Sequence, residues 1–160
     1  MNARISSAAA VAVAVLSGML LLSTPNAYAA KAAQVRVGSP DAFGPGTDGN
    51  YSMTAQIDAA GNVSGQWQDA FTQNPGFHIK VTCLTVVGNT AWVGGVIDQA
   101  TNPAFIGVQA RAKVVDGGLP NGGGDTISFT VIFPNGGAPD CDAQAPFQQF
   151  PLFQGNVSIK

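Results

Sequence analysis

The stretch VTCLTVVGNTAWVGG, Val81 to Gly95, decides the fold. Its two arms are rich in Val and Thr and carry one Trp, residues that pack well on a pleated surface, and they flank Gly88-Asn89. A two-residue turn with glycine first takes the type II′ conformation, because glycine adopts positive φ there at no steric cost. Turn type then fixes register: Val87 opposite Thr90, Thr85 opposite Trp92, Cys83 opposite Gly94 and Val81 opposite Val96. Cys83 therefore points out of a strand opposite a residue with no side chain, and the gap admits a second sulfur from above.

The same period of two extends outward along the chain. Gln34 to Val37 alternates with Val35 and Val37 inward, and Ser39 to Asn50 is a Gly/Pro/Asp loop. In YSMTAQIDAAGNVSGQW, a type I turn over Asp58-Ala59-Ala60-Gly61 with Gly61 left-handed sets Ile57 opposite Val63, Ala55 opposite Gly65 and Met53 opposite Trp67. Beyond the first-quoted hairpin, Ile106, Val108, Ala110, Ala112 and Val114 form one inward row, and Ile127, Phe129, Val131 and Phe133 another. Asn156 to Ile159 ends the chain as a strand with Val157 and Ile159 inward. This predicts an all-β fold, a single antiparallel barrel or sandwich of about eight strands, with the barrel preferred because a meander closes without leaving a long edge.

The N-terminus leads to the expectation of a domain outside the cytoplasm. Arg4 precedes the apolar run Ala8 to Leu22, and Ala27-Tyr28-Ala29 supplies a small-x-small cleavage signal. Residues 1–29 are expected to be a signal peptide cleaved after Ala29, and residues 30–160 a secreted domain, loop-rich over 38–50, in an extracellular or periplasmic compartment. Gly18, Ser17 and Pro25 interrupt a run too short to span about 30 Å of hydrocarbon, so no membrane span is expected. The formal net charge is −2, every acidic residue is an aspartate, and Lys and Arg are dispersed. Without a basic stripe the chain has no footprint for nucleic acid.

An exported chain with two cysteines is expected to bridge them, Cys83 to Cys141. Closing a loop of nearly sixty residues stabilises by roughly 4 kcal/mol on the chain-entropy model. The single histidine, His78, shares the outward parity of Lys80 and Thr82 and lies on the opposite strand face from Cys83, so a solvated strand histidine is the plain reading and a general base the functional one. Aspartates sit in loops as Asp41 and Asp48, Asp116 and Asp125, Asp140 and Asp142, where oxygen ligation of calcium competes with turn chemistry. No zinc spacing, EF-hand or nucleophile elbow occurs, and no catalytic residue, metal or cofactor is expected.

In APFQQFPLFQG, Phe147, Phe150 and Phe153 crowd a Pro-broken segment, either lining a ligand mouth or plugging one end of the core. The run HIKVTCLTVVGNTAWVGGVI, with Val81, Cys83, Leu84, Val86, Gly88, Asn89 and Ala91 in a Val-x-Cys-Leu-x-Val-x-Gly-Asn-x-Ala pattern, resembles a family of small exported bacterial proteins of unknown function. That resemblance covers Tyr51 to Lys160 and implies a compact β-domain with a disulfide; it carries no catalytic residues. The expected function is non-enzymatic binding, of a small apolar ligand or a surface protein, through the loops around Phe147 to Phe153. The alternative is an enzyme whose barrel pocket uses His78 or the loop aspartates.

Overall fold

The computed structural model describes residues 32–45, 49–71, 74–119, 123–137 and 139–160. The expected signal peptide, residues 1–29, lies outside these, as does Asp48. Among the described residues ten strands form one antiparallel sheet: β1 (Ala33–Ser39), β2 (Gly49–Ile57), β3 (Val63–Phe71), β4 (Asn74–Val87), β5 (Thr90–Ala100), β6 (Gln109–Val115), β7 (Thr126–Ile127), β8 (Val131–Phe133), β9 (Phe150–Pro151) and β10 (Asn156–Ile159). Their order is β10-β1-β2-β3-β4-β5-β6-β7-β9, with β8 beside β6, and the sheet curls into a half-barrel. The core fills the concave face with Val35, Met53, Trp67, Ile79, Val93, Ile97, Val114 and Val157.

Both hairpin registers follow from their turns. Ile57 pairs with Val63, Ala55 with Gly65 and Met53 with Trp67, and Gly61 is left-handed at φ 84°. Asp58 locks this turn by accepting from the backbone of Ala60 and Asn62 and from the Asn62 side-chain amide, which holds its carboxyl below the ordinary range. Gly88, at φ 59°, supports Val87 opposite Thr90, Thr85 opposite Trp92 and Cys83 opposite Gly94.

Three departures share one cause, the insertion or loss of a single residue in a ladder. Val81 pairs with Gly95 rather than Val96, because Val81 and Cys83 oppose Gly95 and Gly94 and leave Thr82 over as a bulge. The bulge resets parity, so Cys83 shares the outer face with His78 instead of opposing it. On β6, Val114 pairs with Ile127 but Arg111 pairs with Val131: three steps on one strand match four on the other. That extra residue turns Val131 and Phe133 outward and Ile132 inward, and leaves Phe129 about half exposed. Buried Ser128 holds the break, its backbone N–H donating to the Lys113 carbonyl while its hydroxyl accepts from the Lys113 N–H. Ile106 is likewise not inward but 53 % exposed, since a 3-10 turn at Pro103–Phe105 and left-handed Gly107 delay the start of β6 to Gln109; Val108 still packs on the core.

Two aspartates bridge the edges of the curled sheet. Gln34 and Lys160 exchange backbone bonds across β1 and β10, so the N–H groups of Val157 and Ile159 point away from β1. Among the described residues no strand receives them; Asp125 Oδ2 accepts from Val157 N at 2.5 Å and Asp116 Oδ2 from Ile159 N at 3.0 Å. Asp125, 2 % exposed, also accepts from Gly117 N at 2.7 Å through its other oxygen. Carboxylates thus stand where a neighbouring strand's carbonyls would. Asp125→Ala leaves two donors unmet, and is expected to cost about 3 kcal/mol in urea unfolding, with Asp125→Asn intermediate because one acceptor remains.

Candidate functional site

The segment from Pro139 to Phe147 crosses the outer face of β4, β5 and β6 as a strap. Cys141 is bridged to Cys83 with Cα atoms 6.0 Å apart, so the expected disulfide is present. The Thr85 hydroxyl donates to Asp142 Oδ1 at 2.5 Å, Trp92 Nε1 to the Ala145 carbonyl at 3.0 Å, and Arg111 to the Asp140 carbonyl at 3.0 Å. Arg111 also stacks over the Phe133 ring at 4.1 Å, a contact that exists because the bulge turned Phe133 outward. Gly94 makes the crossing possible: a Cβ there would lie 2.7 Å from Cys83 Sγ and 2.7 Å from Pro139 Cβ.

Beside the strap lies a cleft of about 540 Å³. Ile57, Leu84, Val86 and Ile159 form its apolar wall, while Thr85, Asp142 and Lys160 supply polar groups. Both faces of β4 contribute, Leu84 and Val86 from the inner and Thr85 with Asp142 from the outer, so the cleft wraps around an edge of that strand. The edge is free because the β3–β4 ladder stops at Gln66 opposite Lys80, whereas β4 continues to Val87 with only β5 beside it among the described residues.

His78 is half-buried and not merely solvated: its Nδ1 lies 2.6 Å from Asp98 Oδ1. Asp98 reaches it as the extra residue of a second bulge, between His78 opposite Gln99 and Ile79 opposite Ile97. Ser52 and His78 border one shallow depression, yet Gln68 stands between them in the ladder, two strand spacings or about 10 Å across. That is beyond hydrogen-bond reach for a nucleophile and its base. Asp116, Asp125, Asp140 and Asp142 each accept from a backbone amide or a hydroxyl within the fold, and among the described residues no three His, Cys, Asp or Glu side chains converge as a metal cluster.

The three phenylalanines separate. Phe150 stacks with Phe129 at 4.5 Å and meets Phe43 at 6.1 Å, forming an aromatic cap whose Phe43 touches Tyr51 in the core; Phe147 is half-buried and Phe153 is 51 % exposed. Beneath this cap lies a buried polar group that periodicity hides. Asp69 occupies an inward position opposite Tyr51 and is 3 % exposed. One of its oxygens accepts from the Thr130 hydroxyl, and the other, with Tyr51 Oη and Trp67 Nε1, has no partner among the described residues. Burial raises the Asp69 pKa to about 6, against the opposing effect of the Thr130 bond. Burial, and then the Asp69 charge, push the Tyr51 phenol well above its ordinary value.

Comparison of the chain with known protein families, curated proteins and solved structures finds no match.

Two outcomes follow from this geometry. The native state binds the Asp69 proton more tightly than the unfolded chain does, so stability is greatest below about pH 4 for this group and falls as pH rises through about 6. The gap of about two pH units, at about 1.4 kcal/mol each, amounts to about 3 kcal/mol; Asp69→Asn is expected to remove that slope from urea midpoints measured between pH 4 and 7. Gly94→Ala crowds the sulfur and Pro139, and is expected to cost about 2 kcal/mol while hastening reduction of the bridge by dithiothreitol.

Proposed function

We propose that this chain is an exported, non-enzymatic binding domain of the small β-domain family its hairpin resembles, and that it takes an apolar group into the cleft between β4 and the ends of β1, β2 and β10. The observation that carries this reading is the cleft itself: an apolar wall of Ile57, Leu84, Val86 and Ile159 with a few polar groups at its rim, framed by a covalently fixed strap. Binding sites of this kind combine shape with sparse polarity, and a disulfide holds the frame without demanding a large core. The exposed Phe153 and Phe129 favour a second contact surface at the capped end, where a protein partner would cover them. An enzyme built on His78 has less support, because Ser52, the hydroxyl that borders the same depression, is out of reach of the imidazole.

The test uses mature protein purified from culture medium. Its mass is expected to match cleavage after Ala29, less two hydrogens for the bridge. An environment-sensitive apolar dye, anilinonaphthalene sulfonate, should brighten on binding. Leu84→Lys should abolish this, whereas His78→Gln should not change it and Phe153→Ser should leave it within about twofold. Dye binding that survives Leu84→Lys, with circular dichroism unchanged, would overturn the assignment to the cleft.

A further inference from the structure

We propose that the free edge of β4 receives an extended peptide in which apolar and basic residues alternate, added antiparallel to the sheet as an extra strand; this rests on the cleft's being a binding site. Residues flanking a two-residue turn exchange backbone bonds, so Val87 and Thr90 do, and the pattern alternates from there. Thr85 and Cys83 therefore face β5, while the N–H and C=O groups of Leu84 and Val86 face the other way, into the cleft they line. Beyond Lys80 β4 has no strand partner on that side among the described residues.

Natural sheets guard such edges with lysine, proline or a covering loop. Here the edge reads Thr82-Cys83-Leu84-Thr85-Val86-Val87, with neither charge nor proline, and the strap covers its outer face but not its hydrogen-bonding rim. Unpaired backbone groups in a row are met by another extended backbone and by little else. Side chains of the added strand would alternate, one set toward Ile57, Leu84, Val86 and Ile159, the other past Thr85 toward Asp142. The inward set must be apolar. The outward set passes the Asp142 carboxylate, which has no cation partner among the described residues even though Lys160 lines the same cleft beyond the end of β10, so charge complementarity selects Lys or Arg beside Asp142. In antiparallel pairing it is the inward residues of the guest whose N–H groups meet the Leu84 and Val86 carbonyls.

The probe is acetyl-Val-Lys-Val-Lys-Val-Lys-amide on wild-type mature protein, followed by calorimetry and amide hydrogen exchange. Binding is expected to slow exchange at Leu84 and Val86 by about tenfold or more. N-methylation of the valine amides should weaken binding by about tenfold or more, and N-methylation of the lysine amides should leave it nearly unchanged. Replacing the lysines by serine should also weaken it, with the difference lost in Asp142→Asn. Equal effects of the two methylation patterns, or unchanged exchange at Leu84 and Val86, would overturn strand addition. If the peptide fails while the dye still binds in a Leu84-dependent way, strand addition falls alone; if both fail, the cleft reading falls with it.

Discussion

The fold depends on a hydrogen-bonding mismatch at its seam. A curled sheet of this size must end in two edges, and each edge exposes a row of donors and acceptors that water, another chain or the protein itself has to satisfy. Here β10 offers two amides that meet no strand among the described residues, and Asp125 and Asp116 supply the acceptors from side chains. Because Asp125 also binds Gly117 N, the same carboxylate shapes the loop that carries it. The last strand and the β6–β7 connection are thereby fixed to each other, and β1 and β2 follow through the β1–β10 ladder.

With the seam closed, irregularities elsewhere become the source of the surface. Thr82 is one residue too many between Val81 and Cys83, and that bulge does three things together. It carries Cys83 to the outer face, where the strap can reach it; it keeps Leu84 and Val86 directed inward; and it comes where β4 parts from β3. The outward Cys83 and the inward Leu84 and Val86 are thus consequences of one inserted residue, set beside the edge that opens where the β3–β4 ladder ends. Asp98, the extra residue on β5, performs a similar service for His78 by bringing a carboxylate beside an imidazole that would otherwise stand in solvent.

Much of this was legible in the sequence because turn chemistry is local. Gly88-Asn89 and Asp58 to Gly61 name their own turn types, and turn type fixes register as far as the first irregularity, which is why Cys83 opposite Gly94 could be read and Val81 opposite Val96 could not. Bulges have no comparable local signature. They answer to strand lengths on the partner, so the inversion of Val131 and Phe133 depends on how β6 meets both β7 and β8. Ser128 carried the one available signal, a polar residue at a break between apolar ones. Asp69 lay in an inward position of an otherwise regular row, where alternation marks the position but says nothing of the cost of burying a carboxyl. The cleft was illegible for the same reason as the bulges, being made by the absence of a pairing.

The cystine also has a mechanical side. Ala33 begins β1 and Lys160 directly follows the end of its antiparallel neighbour β10, so tension applied between those two residues would act on the β1–β10 ladder as on a zipper, opening its bonds one after another instead of shearing them all at once. Once that ladder gives way the strands peel, but the 58 positions separating Cys83 from Cys141 form a closed covalent ring that cannot be drawn out. A tethered chain would therefore yield early at low force and lengthen only over the arm before Cys83 and the short tail after Cys141, keeping the turn of the second hairpin, β5, β6 and the start of the strap within a loop of fixed contour.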